Sequence, residues 1–274
     1  MAAERDCNAV AGPLFEDSAQ LRRALARGPK VEGPHVLALP RRRKRAFTLE
    51  HVLSGEECAA LVEAAERAGF GPAGIGGERQ FVCTSTRSSY RLISEDPGLA
   101  ETLWARIREH VPAIWAGRRA LGLNERLRIL RYTEGQHFGP HYDGTFLRKG
   151  TQNRSYFTLQ LYLNSSEEMA GGATRFHGGI SGDGVKHADV DCLPRQGLVL
   201  VFEHDLLHEG MRVARGTKYT VRTDVEYGPP SLLAALQAAV GLGSSPAENR
   251  RRSARLRAAA APIALALAAL AVAA

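Results

Sequence analysis

Arg131-Tyr132-Thr133-Glu134-Gly135-Gln136-His137-Phe138-Gly139-Pro140-His141-Tyr142-Asp143-Gly144 is the stretch on which the reading of this chain turns. His141 and Asp143 stand two apart, so on an extended strand both side chains point to one face. An imidazole and a carboxylate on one face can hold two adjacent positions around a metal ion. A third ligand has to come from elsewhere. The candidate is His208, 65 residues after Asp143, where the apolar run Val199-Leu200-Val201-Phe202 ends in the polar turn Glu203-His204-Asp205.

Two histidines and one carboxylate on one side of a metal, with the other side open, suit a non-haem Fe(II) centre. Ten residues after His208 comes Lys218, in Gly216-Thr217-Lys218-Tyr219-Thr220-Val221-Arg222-Thr223-Asp224-Val225. That segment is rich in Thr, Tyr and Val and reads as a strand. Lys218, Thr220 and Arg222 then share a face. A cation there suits a co-substrate carboxylate reaching away from the metal.

Five pieces follow one another in a fixed order. They are Arg131-Tyr132 with Gly135-Gln136, then His141-Tyr142-Asp143, then Thr158-Leu159-Gln160-Leu161-Tyr162-Leu163-Asn164. After these come Gly171-Gly172-Ala173-Thr174-Arg175-Phe176 and His208 with Lys218. In these pieces the chain from roughly Leu49 to Tyr227 resembles the Fe(II)- and 2-oxoglutarate-dependent dioxygenases, in particular their prolyl 4-hydroxylase-like branch. The resemblance implies a mainly β fold, a double-stranded β-helix or jelly roll, with helices packed on one side. It implies Fe(II) on His141, Asp143 and His208, with 2-oxoglutarate and O2 as co-substrates and ascorbate as an accessory reductant. The far carboxylate of 2-oxoglutarate is expected at Lys218 on family spacing, with Arg222 as the rival cation. Tyr132, Tyr162 and Thr158 are the expected hydroxyl partners. The reaction implied is hydroxylation of a substrate C–H, a prolyl residue in a peptide being the first reading, with 2-oxoglutarate decarboxylated to succinate. Phe138 stands three before His141, where many prolyl hydroxylases carry a tyrosine that contacts the peptide. A small-molecule substrate is therefore the alternative within the class. A catalytically silent metal-binding interaction module and an oxygenase acting on nucleic acid are the rivals outside it.

Composition bounds these readings. The chain has 274 residues, 44% of them hydrophobic and 24% charged, ordinary for a globular protein with one substantial domain. Cys7, Cys58, Cys83 and Cys192 fit neither a zinc pattern nor a dense disulfide framework, and none is near the His/Asp set. Reduced thiols point to a cytoplasmic setting. The net charge is +7. Arg41-Arg42-Arg43-Lys44-Arg45 carries five positive charges, and Arg250, Arg251, Arg252, Arg255 and Arg257 carry five more. Removing these ten charges from +7 leaves −3, so the presumed core is slightly acidic. The basicity belongs to flanking segments, which makes no strong case for a nucleic-acid partner.

The chain divides into a flexible segment 1–46, a dioxygenase domain 47–228, and a tail 229–274. A short helix is expected at Glu16–Ala26. Ser54 with Glu57 reads as a capping box for a helix that ends near Gly69. Gly71–Gly77 reads as a connecting loop and Gln80–Thr84 as a strand. The resemblance places the Thr84–Arg91 segment on the substrate side of the barrel, which makes Arg87 and Arg91 candidate substrate contacts. Asp96-Pro97 starts a helix whose apolar face is Leu99, Leu103, Ile107 and Val111, and Trp104 and Trp115 are read as core residues. Gly144–Arg154 reads as a mobile loop near the site. His204 is read as a turn residue rather than a ligand. In the tail, Ser231–Val240 reads as a closing helix. Ala258–Ala274 is 17 residues without a polar side chain, eleven of them alanine. That is short of the about 20 strongly apolar residues of a spanning helix. A membrane association through this tail, with its basic flank on the cytosolic side, is the expectation to test.

Overall fold

A computed structural model of the chain describes residues 7, 9–15, 23, 25, 28–39, 44–76, 80–165, 167–180 and 184–231. The expected helix at Glu16–Ala26, apart from residues 23 and 25, the Arg41–Arg43 part of the first basic run, and everything after residue 231 lie outside these. Among the described residues no helix is long and apolar enough to cross a membrane.

In chain order the strands are β1 (Val10–Ala11), β2 (Glu32–Val36), β3 (Ala46–Glu50), β4 (Gly71–Pro72), β5 (Tyr90–Glu95), β6 (Ile114–Trp115), β7 (Arg118–Leu123), β8 (Arg126–Tyr132), β9 (Phe138–His141), β10 (Arg154–Tyr162), β11 (Ala170–Gly171), β12 (Thr174–Phe176), β13 (Val190–Cys192), β14 (Val199–Glu203), β15 (His208–Gly210), β16 (Val213–Arg215) and β17 (Lys218–Tyr227). Among the described residues the two helices are α1 (Gly55–Ala68) and α2 (Pro97–Ile107). The described residues fall into two compact units, one within 1–107 and 121–227 and the other within 108–120 and 228–231.

The first unit is the expected double-stranded β-helix. Its major sheet runs β1-β5-β8-β17-β10-β14-β3-β2, and its minor sheet runs β13-β12-β15-β9. β14 is apolar up to its last residue, Glu203, and buried throughout, as a strand covered on both faces must be. Phe202 and Leu200 of β14 pack with Tyr162, Phe176, Cys192 and Leu206 in one core cluster. Because Phe176 and Cys192 come from the minor sheet, this cluster joins the two sheets.

The helices lie where the sequence puts them. Ser54 Oγ accepts from the Glu57 amide at 3.2 Å, while the Ser54 amide donates to Glu57 Oε2 at 2.8 Å. Both halves of the capping box are thus present. Asp96 Oδ1 accepts from the Leu99 amide at 2.9 Å and caps α2. Arg106 of α2 clasps both oxygens of the buried Glu57 at 2.8 Å and ties the two helices together. Glu66 of α1 takes Arg131 at 2.9 Å and the Tyr219 hydroxyl at 2.7 Å. Arg131 and Tyr219 sit beside each other on β8 and β17, so α1 covers the outward face of those strands and leaves the inward face to the site.

Four local expectations need correction. Residues 80–84 are not a strand: one bridge joins Phe81 to Ile75, and a turn follows. Phe81 and Val82 are 59% and 46% exposed, so β-propensity there had no burial to support it. Gly71–Pro72 pairs with Tyr90–Arg91 instead of looping free. The supposedly mobile Gly144–Arg154 segment is pinned by Arg148, which holds Glu125 at 2.8 and 2.6 Å and Glu226 at 2.9 and 2.6 Å. Trp104 and Trp115 are only half-buried. Within the segment expected to lack regular structure, β1 pairs with β5 and β2 with β3.

In the second unit, β6 and the start of β7 make a hairpin with Ile114 opposite Arg119 and Trp115 opposite Arg118. Gly117 has φ +69° and Ala116 φ +48°, the left-handed pair that a two-residue turn demands. The Gly228 amide donates to the Arg119 carbonyl at 2.9 Å, and the Ser231 amide to the Gly117 carbonyl at 3.1 Å.

Candidate active site

His141 closes β9 and His208 opens β15, and the two stand directly opposite each other in the minor sheet. Opposed residues of an antiparallel pair project to the same face, and the two rings lie 4.2 Å apart between centroids. Asp143 follows β9, held by its amide, which donates to the His204 carbonyl at 3.0 Å. The Asp143 carboxylate lies 3.9 Å from His141 Nε2 and 3.8 Å from His208 Nε2. One ligand atom from each of the three comes within 4.8 Å of the others.

The protonation of the set follows from its surroundings. His141 Nδ1 sits 2.8 Å from the Gly139 carbonyl and His208 Nδ1 2.8 Å from the Leu206 carbonyl. A carbonyl only accepts, so Nδ1 carries the proton in each ring and the Nε2 lone pair points into the site. Burial lowers the His141 imidazole to about 4 and lowers His208 as well. Both rings are therefore neutral at physiological pH. Burial pushes Asp143 the other way, upward. Arg222, the two histidines and the Thr158 hydroxyl outweigh it and hold the carboxyl well below its usual range. Two neutral imidazoles and one ionised carboxylate, with no thiolate near, are the donors that Fe(II) takes. The residues present fit the metal that the sequence implies.

Facing the three ligands is the inner face of β10 and β17. Lys218 is 3% exposed and its Nζ donates to the Gly172 carbonyl at 2.6 Å. The rings of Tyr132 and Tyr162 flank the ammonium at 5.4 and 5.5 Å. Burial lowers the Lys218 ammonium to about 8. No ion pair links it to a carboxylate among the described residues. The close approach needs a glycine at 172. Its φ is +68°, and an added Cβ would come within 2.5 Å of Met169 Cε and 3.2 Å of Lys218 Cδ.

Arg222, four residues on, is differently placed. Its guanidinium meets Asp143 Oδ1 at 2.9 Å and Asp224 Oδ1 at 3.3 Å. Arg128, opposite Arg222 on β8, meets Asp224 at 3.5 Å, and His204 Nε2 meets the same carboxylate at 3.5 Å. Thr158 donates its hydroxyl to Asp143 Oδ2.

The structure thus gathers His141, Asp143 and His208 at one point and sets Lys218, Tyr132, Tyr162, Thr158 and Arg222 around it. His204 lies in a turn, as expected, but is buried and faces Asp224. Arg87 and Arg91 part company. Arg91 donates to the carbonyls of Cys7 at 2.6 Å and Gly74 at 3.5 Å, and also to the Gln80 side chain. That is a structural role, not a substrate contact. Arg87 stays at the site. Its guanidinium lies 4.4 Å over the Phe138 ring, which stacks on His141 at 3.6 Å. Sequence reasoning missed Thr174, whose Oγ1 meets the Tyr162 hydroxyl at 2.7 Å and Gln160 Nε2 at 2.8 Å. It also missed Asp224 and Arg128, although the Arg222-Thr223-Asp224 alternation already put Asp224 on the Arg222 face.

Comparison with known proteins agrees. Residues 127–223 match the 2OG-Fe(II) oxygenase superfamily. No curated protein sequence matches the chain significantly. Among solved structures, a prolyl hydroxylase from Trichoplax adhaerens, in complex with an oxygen-degradation-domain fragment of hypoxia inducible factor, is 14% identical with a TM-score of 0.50. It covers 77% of this chain and 94% of its own. The collagen prolyl hydroxylase of Paramecium bursaria Chlorella virus-1, in its 2-oxoglutarate complex, is 20% identical, covers 67% and 96%, and has a TM-score of 0.44. A Pseudomonas putida prolyl-4-hydroxylase is 19% identical, covers 66% and 91%, and has a TM-score of 0.44. At such identities the likeness is one of fold.

Proposed function

From the match of residues 127–223 to the 2OG-Fe(II) oxygenase superfamily we propose that this chain is a prolyl 4-hydroxylase-like dioxygenase that hydroxylates a C–H bond of a peptide or small-molecule substrate, a prolyl residue being the first case to test. The observation that carries the reading is the convergence of His141, Asp143 and His208 opposite a buried lysine that has no carboxylate partner among the described residues.

In this reading the three side chains hold Fe(II) through two Nε2 atoms and one carboxylate. The bound metal, with 2-oxoglutarate and O2, supplies the oxidising chemistry and yields succinate and CO2. The chain's own residues hold and orient. The carbonyls of Gly139 and Leu206 keep the two imidazoles in the ligating tautomer. Thr158 and Arg222 fix the two oxygens of Asp143. Lys218 receives the far carboxylate of 2-oxoglutarate. Arg222 is the weaker candidate for that role because its charge is already engaged by Asp143 and Asp224. Tyr132 and Tyr162 wall the lysine off from water, which strengthens any charge pairing made there. Tyr162 also donates within the wall, to Thr174.

The test is an anaerobic titration of the full chain with Fe(II) and then 2-oxoglutarate, watching the visible charge-transfer band of the chelate. A band in the wild type that His141→Ala abolishes is the expected result. A folded, metal-loaded protein with no band would overturn the proposal in favour of a silent binding module. We further propose a cytoplasmic setting, with membrane association through residues 258–274 as the hypothesis to test. Cell fractionation with and without those residues tests this, and equal solubility of both forms would end it.

A further inference from the structure

The arginine over Phe138 has no role in the scheme above. Arg87 is 7% exposed. Its Nε donates to Ser89 Oγ at 3.0 Å, and its guanidinium plane covers Phe138, the ring stacked on the metal-ligating His141. The backbone fixes it there: Arg87 bridges to Phe138, and the Gly139 amide donates to the Thr86 carbonyl at 2.8 Å. Tyr132, Arg222 and Asp143 lie close enough to act on its charge, so it borders the candidate site. Yet no ion pair joins Arg87 to a carboxylate among the described residues, whereas Arg222 has Asp143 and Asp224 and Arg128 has Asp224.

Around the metal point there are four cations, Arg87, Arg128, Lys218 and Arg222, against two carboxylates, Asp143 and Asp224. Fe(II) and the 2-oxoglutarate dianion cancel each other in charge, so the loaded site keeps the same positive excess. Lys218 is answered within the 2-oxoglutarate end. Arg87 is left, desolvated and set over the Phe138 ring that stacks on His141. A buried cation without a counter-charge is costly unless a ligand brings one.

We propose that Arg87 receives a carboxylate of the substrate and that the preferred substrate is acidic close to the C–H attacked. This rests on the dioxygenase reading of the site. The carboxylate belongs either to a free carboxylic acid or to an acidic side chain of a peptide, and the guanidinium fork suits both.

The experiment is a binding measurement on the anaerobic Fe(II)·2-oxoglutarate holoenzyme, full chain, read by calorimetry and by perturbation of the charge-transfer band. Acid and amide isosteres are compared in pairs: N-acetyl-L-proline with N-acetyl-L-prolinamide, acetyl-Asp-Pro-amide with acetyl-Asn-Pro-amide, and propionate with propionamide. Preference in the first or third pair identifies a free acid, and preference in the second a peptide side chain. The acid of at least one pair should bind about tenfold tighter or better, as a charged hydrogen-bond partner warrants. In Arg87→Met the acid-to-amide ratio should fall toward one. In Arg87→Lys, which keeps the charge but not the fork, it should lie between. A ratio taken within one protein is not moved by a general weakening of the site, which is all that loss of a plate behind His141 would cause. The inference is overturned if no acid is preferred in the wild type, including the case where no probe binds. It is also overturned if the preference survives Arg87→Met, or survives undiminished in Arg87→Lys should the Met protein not fold. An Arg87→Met protein that needs far more 2-oxoglutarate while its acid preference stands would place Arg87 on the co-substrate and likewise overturn it. Absence of the charge-transfer band itself would instead count against the dioxygenase reading.

Discussion

Lys218 and Arg222 sit four residues apart on one strand, on one face, both largely withdrawn from water, and the protein treats them in opposite ways. Arg222 is surrounded by carboxylates at 2.9 and 3.3 Å. Lys218 has a carbonyl and two aromatic rings. Desolvation lowers both. At Arg222 the charges of Asp143 and Asp224 outweigh it, and the guanidinium is held above its ordinary value. At Lys218 nothing comparable answers, and the ammonium falls to about 8. On the proposed reading the difference separates the roles. A cation already neutralised within the protein is architecture. A buried cation left without a counter-charge is a receptor waiting for one.

The largest effect that tests this contrast is at Asp143. Asp143→Ala removes a metal ligand and at the same time leaves Arg222 with one carboxylate instead of two. Turnover of 2-oxoglutarate to succinate should be abolished, by ~10³-fold or more, on the scale seen when a group acting in a catalytic unit is removed. Succinate formed at the normal rate would sink the assignment. Next in size is Lys218→Ala. Loss of a buried charge partner costs about 2–5 kcal/mol, so 2-oxoglutarate affinity should drop by roughly 30-fold to several thousand-fold, while Fe(II) still binds. Arg222→Gln is its mirror: it should weaken Fe(II) retention and change 2-oxoglutarate affinity by much less. If Arg222→Gln proved the more damaging to 2-oxoglutarate binding, the two roles would have to be exchanged.

The same contrast has a pH signature. Lys218 in the free protein titrates near 8, below its usual value, because its charged form is penalised. Bound 2-oxoglutarate supplies a carboxylate and raises it again. Below pH 8 the ammonium is already formed and the affinity should be flat. Above pH 8 each binding event must take up a proton, so the dissociation constant should climb about tenfold per pH unit. Calorimetry in buffers of different ionisation enthalpy would read that proton directly. Lys218→Arg, which stays charged over this range, should flatten the climb. A wild-type dissociation constant that stays level from pH 7 to 9.5 would contradict the placing of Lys218.

How much of this was readable in the sequence depended on sequence distance. His141 and Asp143 share a face by strand period alone, and the apolar run before His208 gave that histidine its strand end. The capping box at Ser54 and the Asp96-Pro97 start are local codes, and both helices begin where those codes say. The Arg222–Asp224–Arg128 cluster was not legible in the same way. It depends on Arg222 lying opposite Arg128 in β8, a register set by the whole sheet and not by neighbours in the chain. The tie between Glu57 and Arg106 and the pinning of Gly144–Arg154 by Arg148 are equally non-local. Residues 80–84 failed for the converse reason: their composition favours a strand, but among the described residues no partner strand covers Phe81 and Val82.

The smallest expected effect tests the contrast most finely, because it leaves every charge in place. Gly172 supplies the carbonyl that Lys218 touches, and its φ of +68° is a region where an L side chain is strained. In Gly172→Ala the new Cβ meets Met169 Cε, a flexible end that can yield, and presses on Lys218 Cδ from 3.2 Å. Backbone strain alone costs about 1–2 kcal/mol, which should appear as a modest fall in melting temperature. If Lys218 is the receptor, the displaced ammonium should also weaken 2-oxoglutarate binding several-fold, with Fe(II) affinity unchanged because the carboxylates around Arg222 are untouched. A drop in stability with 2-oxoglutarate affinity intact would mean that the position of the Lys218 head group does not matter. Its lack of a counter-charge would then have to be explained without the co-substrate.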